Sequence, residues 1–100
     1  MTKKDLLKLA IDTWGVQSQI MMAVEEMGEL LQALSKQSRY GDVNTLNLLS
    51  EIADVKVMID QLTLIFEPMA KISVADLERE KLARLAGFLG VQKEWMDYDF

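Results

Sequence analysis

Ala23-Val24-Glu25-Glu26-Met27-Gly28-Glu29-Leu30 and Ser50-Glu51-Ile52-Ala53-Asp54-Val55 are the two stretches whose reading decides this chain. Glu26 and Glu29 are three apart, and so are Glu51 and Asp54. On a helix, residues three apart share a face, one turn above the other. Each stretch therefore presents two carboxylates side by side. Two such helices packed together would form a cage of oxygen ligands. Oxygen ligands suit hard divalent cations, Mg²⁺ above all, with Mn²⁺ as a substitute.

The flanking residues supply the helices. From Gln19 to Ser38, the residues Ile20, Val24, Met27, Leu31 and Leu34 recur at steps of four and three, one apolar stripe with Glu26 and Glu29 beside it. From Thr45 to Phe66, the residues Leu48, Ile52, Val55, Ile59, Leu62 and Phe66 form a second stripe, flanked by Glu51 and Asp54. The connection Arg39-Tyr40-Gly41-Asp42 is short. Gly41 can stop the first of these helices, and Asp42 or Asn44 can cap the next. A short connection makes the two helices antiparallel neighbours, so the acidic pairs can face each other.

A shorter helix is expected on each side. Leu6, Leu7, Ala10 and Ile11 mark one over Lys3 to Thr13, broken at Trp14-Gly15, with Ser18 as a cap for the second helix. Glu67-Pro68 is read as the end of the third helix. Ser73-Val74-Ala75-Asp76 fits a capping-box start for a fourth, from about Val74 to Phe88 and closed by Gly87 and Gly90. On it, Lys81 and Arg84 share a face. The tail, with Trp95, Tyr98 and Phe100, is apolar enough to dock on the domain or on a partner chain. The expected fold is all-α: one domain over residues 1–100, a four-helix bundle with two long antiparallel helices at its centre.

Composition narrows the chemistry. With 100 residues, half of them hydrophobic and one proline, the chain can build a modest core. It carries no cysteine and no histidine. Thiolate metal sites, imidazole zinc sites and Ser-His-Asp triads are thereby excluded, and catalysis must run on carboxylates, amines and a metal. The net charge of −5 argues against a nucleic-acid polymer as partner. The absence of a long apolar run argues against membrane insertion. A cytoplasmic location is expected.

The acids admit two readings. Taken singly, each reads as a surface charge. Taken together, Glu25, Glu26 and Glu29 are like charges within two turns, and no lysine or arginine lies between Ile20 and Ser35 to offset them. A bound cation would relieve both that repulsion and the desolvation beside a buried seam. Gly28 reads either as a site of close approach or ligand access, or as a merely tolerated glycine.

Glu25-Glu26-Met27-Gly28-Glu29 followed by Glu51-Ile52-Ala53-Asp54 resembles the signature of the all-α nucleoside triphosphate pyrophosphatases, the MazG-like superfamily. The resemblance is strongest from Trp14 to Leu62. It implies Glu26, Glu29, Glu51 and Asp54 as Mg²⁺ ligands and adds Glu25 to the catalytic acids. It puts Lys81 and Arg84 in a region of phosphate contacts, although Ala83 stands near where the family has an asparagine. It also gives Trp14 and Gln19 a role at the base, although for Trp14 a plain core position is the favoured reading. The implied activity is Mg²⁺-dependent hydrolysis of a nucleoside triphosphate to monophosphate and pyrophosphate, including house-cleaning of non-standard nucleotides. The implied assembly is a homodimer or homotetramer. Rival readings are a non-catalytic Mg²⁺- or nucleotide-binding module and a structural helical protein that oligomerises through its seam.

Overall fold

The computed structural model describes residues 1–91 and 99, apart from the side chain of Asp42. Among these residues the fold is all-α, with four helices and no strand. They are α1 (Lys3–Trp14), α2 (Val16–Tyr40), α3 (Thr45–Ala70) and α4 (Val74–Phe88), with a 3₁₀ turn at Gly41–Asn44. The chain divides into two compact units, Met1–Phe66 and Glu67–Phe100. The docking expected of Trp95, Tyr98 and Phe100 lies outside the described residues.

Local chemistry explains the helix ends. Thr2 and Asp5 form a reciprocal capping box on α1, with bonds of 3.1 Å and 3.0 Å. Gly15 separates α1 from α2 at φ 91°, a conformation that glycine adopts freely and other residues avoid. Helix α2 begins at once, at Val16, without a side-chain cap, so Ser18 lies inside the helix rather than at its start. Gly41, at φ 66°, stops α2 as expected. Asn44 donates its side-chain amide to the Ala33 carbonyl at 3.3 Å, which ties the connection back onto α2.

Pro68 does not end α3, which runs on to Ala70. Proline costs the helix one N–H donor, but the turn after it still closes, with Lys71 N–H on the Glu67 carbonyl. The stop is Lys71, at φ 57°. The Glu67 carboxylate then accepts from Val74 N–H at 2.6 Å, at the first turn of α4. Ser73 caps that turn by accepting from Asp76 N–H. At the far end Gly87 stays within the helix. Gly90, at φ 77°, closes it with the paired 6→1 and 5→2 bonds of a Schellman motif.

In the first unit, α2 and α3 are antiparallel. Gln19 bonds Gln61, while Ala33 and Gln37, further along α2, bond Asn44 and Thr45 near the start of α3. Helix α1 joins them through Lys3 Nζ on Asp60 at 2.6 Å, an exposed ion pair worth at most about 1 kcal/mol, and through buried Leu7.

The face that α2 turns inward is not the apolar stripe. Gln19, Ala23 and Ala33 are buried and Glu26, Leu30 and Gln37 half-buried, at steps of four and three. The expected stripe of Val24, Met27, Leu31 and Leu34 is exposed, Leu31 at 69 %. On α3 the inward residues are Leu48, Glu51, Val55, Met58, Gln61 and Ile65, while Ile52, Ile59 and Phe66 are exposed. On α2 a heptad-like seam of small and polar residues runs beside the apolar stripe, whereas the inward face of α3 keeps Leu48 and Val55 of its stripe and adds Met58 and Ile65. Alanines let two helices approach closely, and the Gln19 amide finds Gln61 there, whereas the Glu26 and Glu51 carboxylates each keep an oxygen without a partner.

Candidate metal centre

Glu26 and Glu51 stand in the seam, half-buried, and Asp54 stands at its edge, exposed. One carboxylate oxygen from each of these three residues lies within 4.8 Å of the other two. Oε2 of Glu26 and Oε2 of Glu51 are shielded from solvent and have no hydrogen-bond partner. Among the described residues no ion pair reaches any of the three.

The consequence is electrostatic. Burial, and then the charges of Glu29, Asp54 and Glu51, raise Glu26 above the ordinary carboxylate value. Burial, and then Glu29 and Asp54, raise Glu51 likewise. Both groups resist ionisation because water is withdrawn and like charges face them. Two shielded carboxylate oxygens without a partner, beside a third carboxylate and with no cation among them, form a donor set that a hard divalent ion satisfies.

The other expected residues are more scattered. Glu29 is exposed one turn from Glu26, and its charge is the first neighbour felt by both Glu26 and Glu51. Glu25 is exposed on α2. Trp14, expected in the core, is instead 65 % exposed at the end of α1, because α1 buries the face of Leu7 and the chain breaks at Gly15. Gln19 is buried and donates to Gln61, so contact with a base would require that pair to open. Lys81 and Arg84 are exposed on α4, in the second unit, where they line one hollow with Leu77 and Glu80. Sequence reasoning misses Gln61. Its signal is a glutamine at the helical spacing of Val55, Met58 and Ile65, on an otherwise apolar face.

A Cβ on Gly28 would meet nothing within 4 Å, so close helix approach does not explain this glycine. Gly28→Ala is expected to stabilise the protein by about 0.5–1 kcal/mol, the ordinary cost of glycine inside a helix. A thermal melt should show an upward shift of a few degrees. A downward shift would mean that another molecule fills that space.

The class defined by fold and site is an all-α protein with a carboxylate cluster shared between two antiparallel helices. No protein-family model matches the chain, and neither a curated protein nor a solved structure is significantly similar to it.

Proposed function

We propose that this protein is a Mg²⁺-dependent nucleoside triphosphate pyrophosphohydrolase resembling the all-α, MazG-like enzymes. The observation that carries the reading is the convergence of Glu26, Glu51 and Asp54 oxygens within 4.8 Å from two helices. Glu26, Glu51 and Asp54 would hold the metal, and Glu29 would complete the set from the next turn. Mg²⁺ bound there supplies positive charge that lets an acidic pocket accept a triphosphate and polarises the attacked phosphate.

The remaining steps belong to side chains. An exposed carboxylate at the rim, Glu25 or Glu29, accepts the proton of the attacking water. Attack at the α-phosphate forms a bond from the water oxygen to phosphorus and expels pyrophosphate, leaving the monophosphate. The resemblance alone gives Lys81 and Arg84 as phosphate contacts, and the exposed ring of Trp14 is a stacking surface for a base. The base itself is open: standard, deoxy-, uracil-containing and damaged nucleotides all fit.

The reading includes a homo-oligomer and a cytoplasmic setting. The exposed stripe of α2 and the exposed Ile52, Ile59 and Phe66 of α3 support assembly, since contiguous exposed apolar surface is normally covered. No helix among the described residues is long and apolar enough to cross a membrane.

The test is a panel of nucleoside triphosphates incubated with Mg²⁺ and resolved by product chromatography. The expected products are a monophosphate and pyrophosphate. Orthophosphate with a diphosphate would refute attack at the α-phosphate. Metal binding without turnover of any nucleotide would favour the binding module.

A further inference from the structure

The buried glutamine pair has no place in that mechanism. Glutamine is seldom buried, yet Gln19 and Gln61 are each only 4 % exposed. They meet across the seam, Gln19 Nε2 donating to Gln61 Oε1 at 2.7 Å. We propose that this hydrogen bond sets the register of α2 on α3, and thereby positions the carboxylate cluster two turns away.

The spacing is the first argument. Glu26 lies seven residues after Gln19 on α2, and Asp54 lies seven residues before Gln61 on α3. On antiparallel helices these equal offsets place both layers in one register, about 10 Å apart along the axis. A slide of one turn that broke the amide pair would also separate the acids.

The second argument is that little else in the seam chooses the register. The buried residues that α2 adds are Ala23 and Ala33, whose small side chains pack without direction. The acids themselves repel one another and favour separation. At the other end, the Gln37–Thr45 and Asn44–Ala33 bonds sit beside the Gly41–Asn44 turn, where the short connection already holds the helices together. Gln19–Gln61 stands at the end away from that connection. A one-turn slide would set Gln19 against Met58 or Ile65 and leave both amides buried without partners. Such a penalty for mispairing is how a buried polar group specifies register.

The test compares Gln19→Met, Gln61→Met and the double substitution, since methionine matches glutamine in length and lacks its polar atoms. The chain has no cysteine, so Lys36→Cys and Lys56→Cys, at exposed positions of α2 and α3, accept spin labels specifically. Labelled protein is diluted with unlabelled protein, so that distances within one chain are read. Each single substitution should lower the melting temperature, and the double should recover it. In the double variant the label distance should broaden or move by about one turn, ~5 Å. Its Mn²⁺ affinity, read by the signal of the free ion, should fall at least tenfold.

Recovered stability with a displaced distance is what a merely structural pair would not produce. A narrow, unmoved distance in the double variant overturns the proposal. If the double does not fold, Gln61→Met alone decides, because it leaves Gln19 unpaired. There too an unmoved distance is fatal. The Mn²⁺ readout rests on the metal reading above and the distance does not, so wild-type protein that ignores Mn²⁺ would refute only the former.

Discussion

Glu51→Gln protein is expected to melt at a higher temperature than wild type without metal, and to lose most of its response to Mg²⁺. Both effects have one cause. In the metal-free fold, Glu51 holds its charge against burial and against Glu29 and Asp54, and one of its oxygens has no partner. The amide removes that charge. With Mg²⁺ at about a hundred times its dissociation constant, wild type should gain about 2.7 kcal/mol. For a domain of this size that is a rise of about 10–20 °C.

Acidity should act oppositely on the two forms. Glu26 and Glu51 are raised in the fold above their ordinary value of 4.5, so the fold takes up protons before the unfolded chain does. Their contribution is complete below pH 4.5 and is lost as pH rises through the raised values. Metal-free wild type should therefore gain stability relative to Glu51→Gln as pH falls from 7 towards 4.5. The Mg²⁺-dependent gain should shrink over the same range, because protons compete for the ligands. Asp5, lowered chiefly by its bond to the Thr2 backbone, works the other way, but only on acidification below its ordinary 3.8. Equal Mg²⁺ shifts in both proteins would place the metal elsewhere.

Leu31→Lys should dissociate the proposed homo-oligomer. Leu31 is the most exposed residue of a stripe that includes Val24, Met27 and Leu34. Single exposed leucines are ordinary, but an unbroken stripe marks a contact surface. Burying one leucine is worth about 1.5–3 kcal/mol. A symmetric dimer buries the same residue from each copy. The substitution then removes about 3–6 kcal/mol, a weakening of about 10²- to 10⁴-fold. Light scattering at tens of micromolar, by order of magnitude, should show an oligomer for wild type and a monomer for the variant. A monomeric wild type, or a variant of unchanged mass, would remove the stripe from any interface.

Much of the candidate site was legible because its chemistry is local. Spacings of three on helices put Glu26 beside Glu29 and Glu51 beside Asp54 whatever the chain packs against. A short turn at Gly41 made the two helices antiparallel neighbours. Less legible was which acids enter the seam. Glu26 and Glu51 do, while Glu29 and Asp54 stay at its edge, because the seam is one position away from the strongest apolar stripe.

Local sequence set the four helices, through Gly15, Gly41, Gly90 and the caps Thr2 and Ser73, and put two acids on one face of each central helix. Those outcomes depend on backbone conformations and side chains within a few residues of one another. The tertiary structure alone decided which face of α2 turns inward, that Trp14 stays outside, that Pro68 is carried within α3, and that Gln19 finds Gln61. Each is a choice between near-equal local options. Hydrophobic periodicity ranks faces by apolar area, whereas on α2 close packing and the Gln19–Gln61 bond favoured alanine and glutamine over the richer stripe.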